Sequence, residues 1–355
     1  MIDVRDSFCP RRPRRLWSDP VQVRLPPRVR PLLTALVVGS ALFPHPVLAE
    51  EIRLASLAPQ DSAWGKLIQA LAADVEQSTG GQVKFKLFLG GKLGDESKVT
   101  KKLGKGIDGA FYTGQGMGLL LPAYRVLELP FLCENYEEAD QVRKALFADF
   151  VADFEKNTDY VLLGPGETGM VYLFSKQPIE DVAGMKASKL WVWESDQVAS
   201  DIFKVFGVSP RPLDILTVVQ QLKSGGIDTV YNSPAGAVAL GWTGDVAFVT
   251  GRPLTYASGG FVLTKSAWAK IPAAQQETVR NVVLKHAEKI VQQARIDNDA
   301  AMNRLVGAGG GLKKVPIPDA KYQELKKIAT AAWPSLAGSL KADAYLQKAR
   351  QTLGK

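Results

Sequence analysis

The sequence predicts an α/β fold, because strand-like and helix-like hydrophobic patterns alternate along the chain and 46% of its 355 residues are hydrophobic. Residues 51–57 and 83–88 alternate apolar and polar side chains, as strands with one wet face do. Between them, a helical pattern follows Ser62 and ends at Thr79-Gly80-Gly81. A chain of this length suits two globular lobes, and the alternation favours mainly parallel sheets.

The later part of the chain contains the elements that could join two lobes. Residues 98–105 predict a basic helix, and a strand follows at 109–112. Two further strand patterns, 170–174 and 259–264, connect regions of different pattern and are candidates for crossings between lobes. From 275 to 305, apolar residues recur at helical spacing, which predicts a helix about 45 Å long that could brace both lobes.

The N-terminal segment has the order of a secretory signal. Residues 1–49 contain eight arginines, then an apolar stretch at 31–43, then Val47-Leu48-Ala49. The stretch is shorter than the ~20 residues that span a bilayer, although an N-terminal anchor and a downstream translation start are alternatives. No cysteine follows the predicted cleavage point, so a lipoprotein is not expected. We therefore expect a periplasmic protein that has lost this segment.

The leader also accounts for most of the positive charge. The whole chain carries a formal charge of +8, and residues 1–49 contribute eight arginines against three acids, which leaves about +3 for the rest. Such a mild excess gives no reason to expect a nucleic-acid partner.

Cysteine and histidine are too scarce for most catalytic or metal chemistry. Outside the leader the chain has one cysteine, Cys133, and one histidine, His286. Cys133 lies in an apolar run that predicts burial, and His286 falls in the long helical pattern as a structural or surface residue. Without a cysteine cluster or a Gly-x-Ser-x-Gly motif, we expect no metal, no cofactor and no enzyme activity.

A series of short motifs follows along residues 51–280. In order, they are Ala58-Pro59-Gln60-Asp61-Ser62-Ala63-Trp64-Gly65-Lys66, Gly90-Gly91-Lys92-Leu93-Gly94-Asp95-Glu96, Leu129-Pro130-Phe131-Leu132, Tyr136-Glu137-Glu138-Ala139, Lys176-Gln177-Pro178-Ile179, Ala183-Gly184-Met185-Lys186, Gly226-Ile227-Asp228 and Asn232-Ser233-Pro234. No single motif is specific, but the series resembles the solute-binding proteins of TRAP (tripartite ATP-independent periplasmic) transporters.

This resemblance implies a two-lobe periplasmic-binding-protein clamshell with mixed sheets, a long helix spanning both lobes and a solute held in the cleft by hinge closure. We expect residues 50–172 and 260–300 to form lobe I, and 173–259 and 301–355 to form lobe II. Proteins of this family deliver a small organic solute to TRAP membrane subunits, which use an ion gradient rather than ATP. They do no chemistry on the solute.

The sequence departs from the family where the solute carboxylate is usually held. Most members carry an arginine in a strand that here reads Lys189-Leu190-Trp191-Val192-Trp193-Glu194-Ser195, after an apparent insertion of Ala187-Ser188. Trp191 takes the place of this arginine. A second arginine, often found after a Glu-Asn-Gly-like turn, is also missing, because this chain reads Glu167-Thr168-Gly169-Met170-Val171-Tyr172 there.

This substitution changes the kind of ligand that we expect. An arginine binds a planar carboxylate with two parallel hydrogen bonds, whereas an indole offers an apolar face and one N–H donor. An apolar or aromatic-contacting solute therefore fits better than a C4-dicarboxylate. Lys189 is a possible substitute cation, and a cationic solute near Glu167 is another alternative. Similar arginine-poor relatives form a subset that works with a TPR-repeat partner.

Six residues are candidates for ligand contact, and for each of them simple packing is the alternative. Because strand positions i and i+2 share a face, the two tryptophans of the 189–195 segment should form one aromatic wall. Tyr112 ends a strand that also contains Phe111, and only one of these two side chains can face the cleft. The candidates are Trp64, Tyr112, Glu167, Trp191, Trp193 and Asn232. Trp242 has no motif around it and is expected to pack in the core or at the surface.

The basic run Lys98, Lys101, Lys102 and Lys105 is expected to be a solvated face, with docking to a membrane subunit or an acidic partner as the alternative. A receptor without transport, acting as a sensor or a partner scaffold, is the rival function from another class.

Overall fold

The computed structural model describes residues 49–355, and the predicted signal segment lies outside this range. The strands are β1 (Glu50–Ser56), β2 (Val83–Phe88), β3 (Gly109–Thr113), β4 (Tyr160–Ser175), β5 (Trp191–Trp193), β6 (Arg211–Leu213), β7 (Thr229–Asn232), β8 (Phe248–Thr250), β9 (Thr255–Thr264) and β10 (Lys313–Val315).

The α-helices are α1 (Ala63–Ser78), α2 (Glu96–Thr100), α3 (Gly114–Leu120), α4 (Tyr136–Asn157), α5 (Val182–Ala187), α6 (Gln197–Val205), α7 (Val218–Ser224), α8 (Pro234–Ala239), α9 (Lys265–Lys270), α10 (Ala273–Val306), α11 (Asp319–Leu340) and α12 (Asp343–Leu353). Short 3₁₀ segments lie at Pro122–Glu128, Ile215–Thr217 and Trp242–Asp245.

The first lobe is built on the strand order β2-β1-β3-β9-β4. β1 pairs in parallel with β2 and β3, whereas β9 is antiparallel to both β3 and β4. The alternating apolar side chains of β1 and β2, including Ile52, Leu54 and Val83, are fully buried under α1 and α10. Phe111 of β3 stacks on Phe261 of β9 with ring centroids 4.1 Å apart, which fixes the register of the two strands from their inner face.

The second lobe uses the end of β4. Residues Tyr172 to Ser175 pair with β7, and Phe174 and Ser175 also pair with β8, which in turn is parallel to β10. The short parallel pair β5–β6 joins through a single bridge between Leu190 and Thr229. A hydrophobic cluster of this lobe has Phe174, Trp191 and Trp242 among its buried members.

β4 and α10 connect the two lobes. β4 pairs with β9 up to Val171 and with β7 from Tyr172, so one strand serves both sheets. α10 has 34 residues, about 51 Å, and packs on α1, β4 and α8. Asn298 of α10 donates to the Thr168 carbonyl at 2.8 Å and accepts from the Ala235 amide at 2.9 Å, which ties the strand to α8.

Several sequence predictions are confirmed at this level. The helix predicted over 275–305 is α10, the strand predicted at 83–88 is β2, and the crossing stretch 170–174 lies within β4. Cys133 is buried, and His286 is a buried structural residue whose Nε2 lies 2.6 Å from Asp74 Oδ2.

Two sequence predictions about local structure were wrong. The basic helix expected over 98–105 is only the five-residue α2, because the chain turns at Gly104 and Gly106, whose φ angles are +72° and +105°. The sheets are not mainly parallel, since every pairing of β4 is antiparallel. Within residues 49–355 no helix is both long and apolar enough to cross a membrane.

The C-terminal helices close one side of the molecule. α12 packs on α4, and α11 packs on α6 and on the 3₁₀ segment Pro122–Glu128. Trp333 of α11 donates its indole N–H to the Pro130 carbonyl at 2.9 Å. The residue boundaries of the two lobes stay a prediction from the sequence.

We predict that Gly169→Ala destabilises the protein by about 1–3 kcal/mol in urea unfolding. Gly169 has φ +116° at an irregularity in β4, and an added Cβ would lie 2.2 Å from Asn298 Nδ2. The control is Gly338→Ala in α11, where nothing lies within 4 Å of the new Cβ, so the change should be neutral or stabilising by up to about 1 kcal/mol. Equal effects of the two variants would contradict this reading of β4.

Candidate functional site

The candidate site lies where the carboxyl ends of parallel strands from both lobes meet, the position at which α/β sheets bind ligands. Residues after β2 and β3 face residues after β5 and β6, and three polar contacts join them. They are Lys98 Nζ to Asp214 Oδ2 at 2.7 Å, Gln115 Nε2 to Ser195 Oγ at 2.9 Å, and Arg125 to Asp196 at 2.9 and 3.0 Å. We call this region the lobe junction.

The two tryptophans of β5 form the aromatic wall that the sequence predicts. Their ring centroids are 6.2 Å apart, and Trp191 also stacks on Tyr231 at 5.3 Å and meets Trp242 edge-on at 5.1 Å. The Trp191 side chain donates from Nε1 to the Leu213 carbonyl at 3.1 Å. This cluster fastens β5 to β6 and β7 and so positions the residues that follow β5 at the junction.

The two indoles differ in their exposure and in the hydrogen bonding of their N–H groups. Trp191 is 2% exposed, its N–H donates to the Leu213 carbonyl, and its ring packs on Trp193, Tyr231 and Trp242. Trp193 is 7% exposed, and its Nε1 has no hydrogen-bond partner. Trp193 precedes Glu194 and Ser195 of the junction, so it is the indole closer in sequence to the polar contacts. Trp242 is 1% exposed and therefore packs in the core.

Trp64 and Tyr112 come together on the first-lobe side. Both line a narrow apolar pocket between α1, α10 and the sheet, together with Phe111, Pro165, Phe261 and Ile290. Tyr112 is 1% exposed and its hydroxyl lies 2.9 Å from Thr100 Oγ1, while burial raises the pKa of Tyr112 above its usual range. Trp64 is partly buried in the first turn of α1.

Glu167 is fully occupied by the protein itself. Its carboxylate accepts from Arg295 Nε at 2.9 Å, from Arg295 Nη2 at 2.7 Å and from the Tyr256 hydroxyl at 2.9 Å. Arg295 also binds Asp140 through two hydrogen bonds, and these, with Arg143, lower the pKa of Asp140 to about 2 against the opposing effect of burial. The local sequence contained no cation for Glu167; α10 supplies one.

Asn232 ends β7 opposite Tyr172 of β4. Its Oδ1 accepts from the Ser233 amide at 2.8 Å, and it lies where a side chain on Gly236 would clash. The side chain is only partly buried. Asn232 therefore stabilises the start of α8, while part of its side chain remains accessible to solvent.

Arg125 lies at the lobe junction and already forms ion pairs within the protein. Arg125 is 5% exposed, forms a fork on Asp196, and places Nε 2.8 Å from Glu128 Oε2. Glu128 in turn accepts from the backbone and side chain of Ser258 at 2.9 and 2.8 Å. Two carboxylates of this chain thus take the guanidinium that could have bound an anionic solute.

The sequence did not indicate the polar residues that join the lobes. Asp95, Gln115, Glu194 and Asp214 each follow or flank a strand end, but they lie in four separate segments of the chain. Their meeting depends on closure of one lobe on the other, which no local pattern reports.

A family model described as bacterial extracellular solute-binding protein, family 7 (DctP), matches residues 54–339. The chain belongs to this family. Two DctP-like relatives are solute-binding proteins of Verminephrobacter eiseniae, 23% identical over 244 residues (68% of this chain, 72% of the relative), and of Sulfitobacter sp. strain NAS-14.1, 23% identical over 296 residues (81% and 85%).

Solved structures of DctP proteins share the fold. A Bordetella pertussis extracytoplasmic solute receptor binding pyroglutamic acid has a TM-score of 0.78 at 20% identity, covering 86% of this chain and 100% of its own. A TRAP periplasmic solute-binding protein from Chromohalobacter salexigens with bound D-glucuronate gives 0.78 at 17% identity, covering 85% and 99%. One from Sulfurospirillum deleyianum with bound succinate gives 0.77 at 20%, covering 85% and 99%.

These matches confirm the predicted two-lobe clamshell fold and the predicted class. DctP proteins are periplasmic receptors that bind small solutes and work with membrane subunits, and they are not enzymes. The bound solutes of the three structures differ widely in shape, so the fold alone does not select a solute.

We predict that Glu167→Gln lowers the free energy of unfolding by about 3–5 kcal/mol, because it leaves part of the Arg295 charge unpaired beside a fully buried side chain. The matched control is Glu288→Gln, which removes an ion pair to Arg143 from a side chain 56% exposed and should cost less than about 1 kcal/mol. Denaturant unfolding of both variants measures the difference. If Glu167→Gln were as mild as its control, the ion pair would not be holding the crossing strand.

Proposed function

We propose that this protein is the periplasmic receptor of a TRAP-type secondary transporter and captures a small organic solute through apolar or aromatic contacts. The solute binds at the lobe junction, the lobes close around it by a hinge motion, and the closed receptor delivers it to the membrane subunits. The leader of residues 1–49 directs export and is removed. A TPR-repeat protein is a further partner, proposed from sequence resemblance alone.

The observation that carries this proposal is the state of the arginines. Trp191 stands where the resemblance places an arginine, Arg125 is held by Asp196 and Glu128, and Arg295 is held by Glu167 and Asp140. To be held by one of these arginines, an anionic solute would need to break a buried ion pair, which costs several kcal/mol. The pyroglutamic acid, D-glucuronate and succinate bound by relatives are therefore poor guides to this chain's solute.

The ligand contacts that we propose come from the six candidate residues of the sequence analysis. Trp193 and the partly buried Asn232 lie on the second-lobe side, and Trp64 and Tyr112 lie on the first. Trp191 supports the wall from behind and excludes an arginine-type clamp. Glu167 contributes by fixing β4 between the lobes rather than by a free carboxylate.

The test is to purify the protein from the periplasm, identify any solute it releases by mass spectrometry, and measure lobe closure on re-addition by small-angle X-ray scattering. We expect a small organic molecule with an apolar or aromatic portion, and a smaller radius of gyration when it is bound. A released C4-dicarboxylate would contradict the proposed ligand class. Absence of any closing solute would contradict the receptor mechanism.

We predict that Trp193→Ala weakens binding of that solute about 10-fold or more, because a large aromatic contact at the junction is lost. The control is Trp268→Ala in α9, a partly buried tryptophan of the first-lobe core whose ring contacts Arg280. Thermal unfolding of both variants separates lost binding from lost folding. Unchanged affinity in a folded Trp193→Ala protein would remove Trp193 from the site.

A further inference from the structure

Three carboxylates from the two lobes gather at the lobe junction. Asp95 follows β2 in the first lobe, while Glu194 and Asp214 follow β5 and β6 in the second, and their ligand oxygens all lie within 4.8 Å of one another. The parallel register that sets Trp193 opposite Leu213 places Glu194 and Asp214 side by side at the strand ends. The Asp95 carboxylate of the first lobe lies beside them.

Within residues 49–355, ion pairs do not balance the charge of this cluster. The three carboxylates form one ion pair within this range, between Lys98 and Asp214. The Lys98 side chain is 52% exposed, and the hydrogen bond to Asp214 raises the pKa of Lys98. Three negative groups with one cation leave an excess of two negative charges, and bringing the lobes together increases their mutual repulsion.

Two buried acceptors, one on Asp95 and one on Gln115, find no hydrogen-bond partner among the described residues. Asp95 is 0% exposed; its Oδ1 caps α2 by accepting from Lys98 N at 2.9 Å, but its Oδ2 has no hydrogen bond. Gln115 is 4% exposed; its amide nitrogen binds Ser195, but its Oε1 has no hydrogen bond. A buried acceptor without a donor is unfavourable, so both atoms indicate a donor that residues 49–355 do not supply.

We propose that the lobe junction binds a positively charged ammonium group of the solute, held by Asp95, Glu194 and Asp214 from both lobes. This rests on the receptor function proposed above and specifies its solute class: an organic cation with an apolar or aromatic portion. The ammonium donates to Asp95 Oδ2 and Gln115 Oε1, and it neutralises the carboxylates that closure brings together. The solute thereby bridges the lobes and favours the closed state.

An organic ammonium fits this site better than a metal ion. The Lys98 ammonium already occupies one side of the cluster, and Asp95 Oδ1 is committed to the helix cap. Ca²⁺ takes six to eight oxygen ligands and Mg²⁺ requires octahedral geometry, which three carboxylates beside a lysine do not supply. Aromatic faces attract organic cations, and Trp193 directly precedes Glu194 in the chain.

The test compares three probes that share a phenyl ring: 2-phenylethylammonium, 2-phenylethanol and 3-phenylpropionate. Isothermal titration of each into the purified, solute-free protein gives affinity, and small-angle scattering gives closure. The charge of any solute released from the periplasmic protein is determined alongside. We expect the ammonium probe to bind at least 10-fold more tightly than the other two and the released solute to be a cation.

Variants that remove one carboxylate charge test which residues bind the ammonium group. Glu194→Gln and Asp214→Asn should each weaken ammonium binding by about 10- to 100-fold, since each removes a charge-assisted hydrogen bond. Asp95→Asn should do the same while keeping the α2 cap, because Asn caps helices as well as Asp. The control is Asp201→Asn on α6, an exposed acid paired with Lys204, which should leave binding unchanged.

Each outcome decides between the two proposals. A neutral or anionic released solute, or tighter binding of 3-phenylpropionate, overturns the cation assignment and leaves the receptor function standing. Saturable binding of CaCl₂ alone that Asp95→Asn abolishes also overturns the assignment to an organic cation. Failure to find any solute or probe that closes the lobes overturns both proposals.

Discussion

The buried ion pair between Glu167 and Arg295 is the constraint on which the arrangement of the two lobes depends. Glu167 lies in β4 just before the strand passes from one sheet to the other, and Arg295 lies on the helix that runs along both. A buried carboxylate must be paired, so moving α10 away from β4 would leave the buried Glu167 charge without its partner. Tyr256 of β9 and Asp140 of α4 bind the same pair, so four elements meet at one point.

This constraint also shapes recognition. A cation that completes an internal network cannot act as a clamp for an anionic solute, and the same is true of Arg125 between Asp196 and Glu128. The position that would carry a clamp holds Trp191, whose ring is enclosed by Tyr231 and Trp242. The site therefore differs from a carboxylate receptor in two linked ways: its arginines are internal, and its free charges are acidic.

The sequence predicted the parts of this molecule that depend on local pattern. β2 and the long helix were placed to within two residues, and the aromatic wall of β5 follows from strand alternation. The resemblance added the clamshell, which alternation alone could not. The helix expected over 98–105 failed because two glycines take left-handed conformations that hydrophobic periodicity does not report.

The site was harder to predict because its contacts join distant segments. Glu167 and Arg295 are 128 residues apart, and Lys98 and Asp214 are 116 residues apart. Glu167 was therefore a candidate ligand contact from the sequence, and nothing in the local pattern singled out Asp214. The six candidate contact residues remain proposals, and the structure places Trp191 and Trp193 in a buried cluster of the second lobe.

The most direct measurement of the central claim is a crystal structure of the protein with its copurified solute. The account predicts that no guanidinium lies within hydrogen-bond distance of the solute, with Arg125 still on Asp196 and Arg295 still on Glu167. A solute carboxylate held by two parallel hydrogen bonds from either arginine would contradict it.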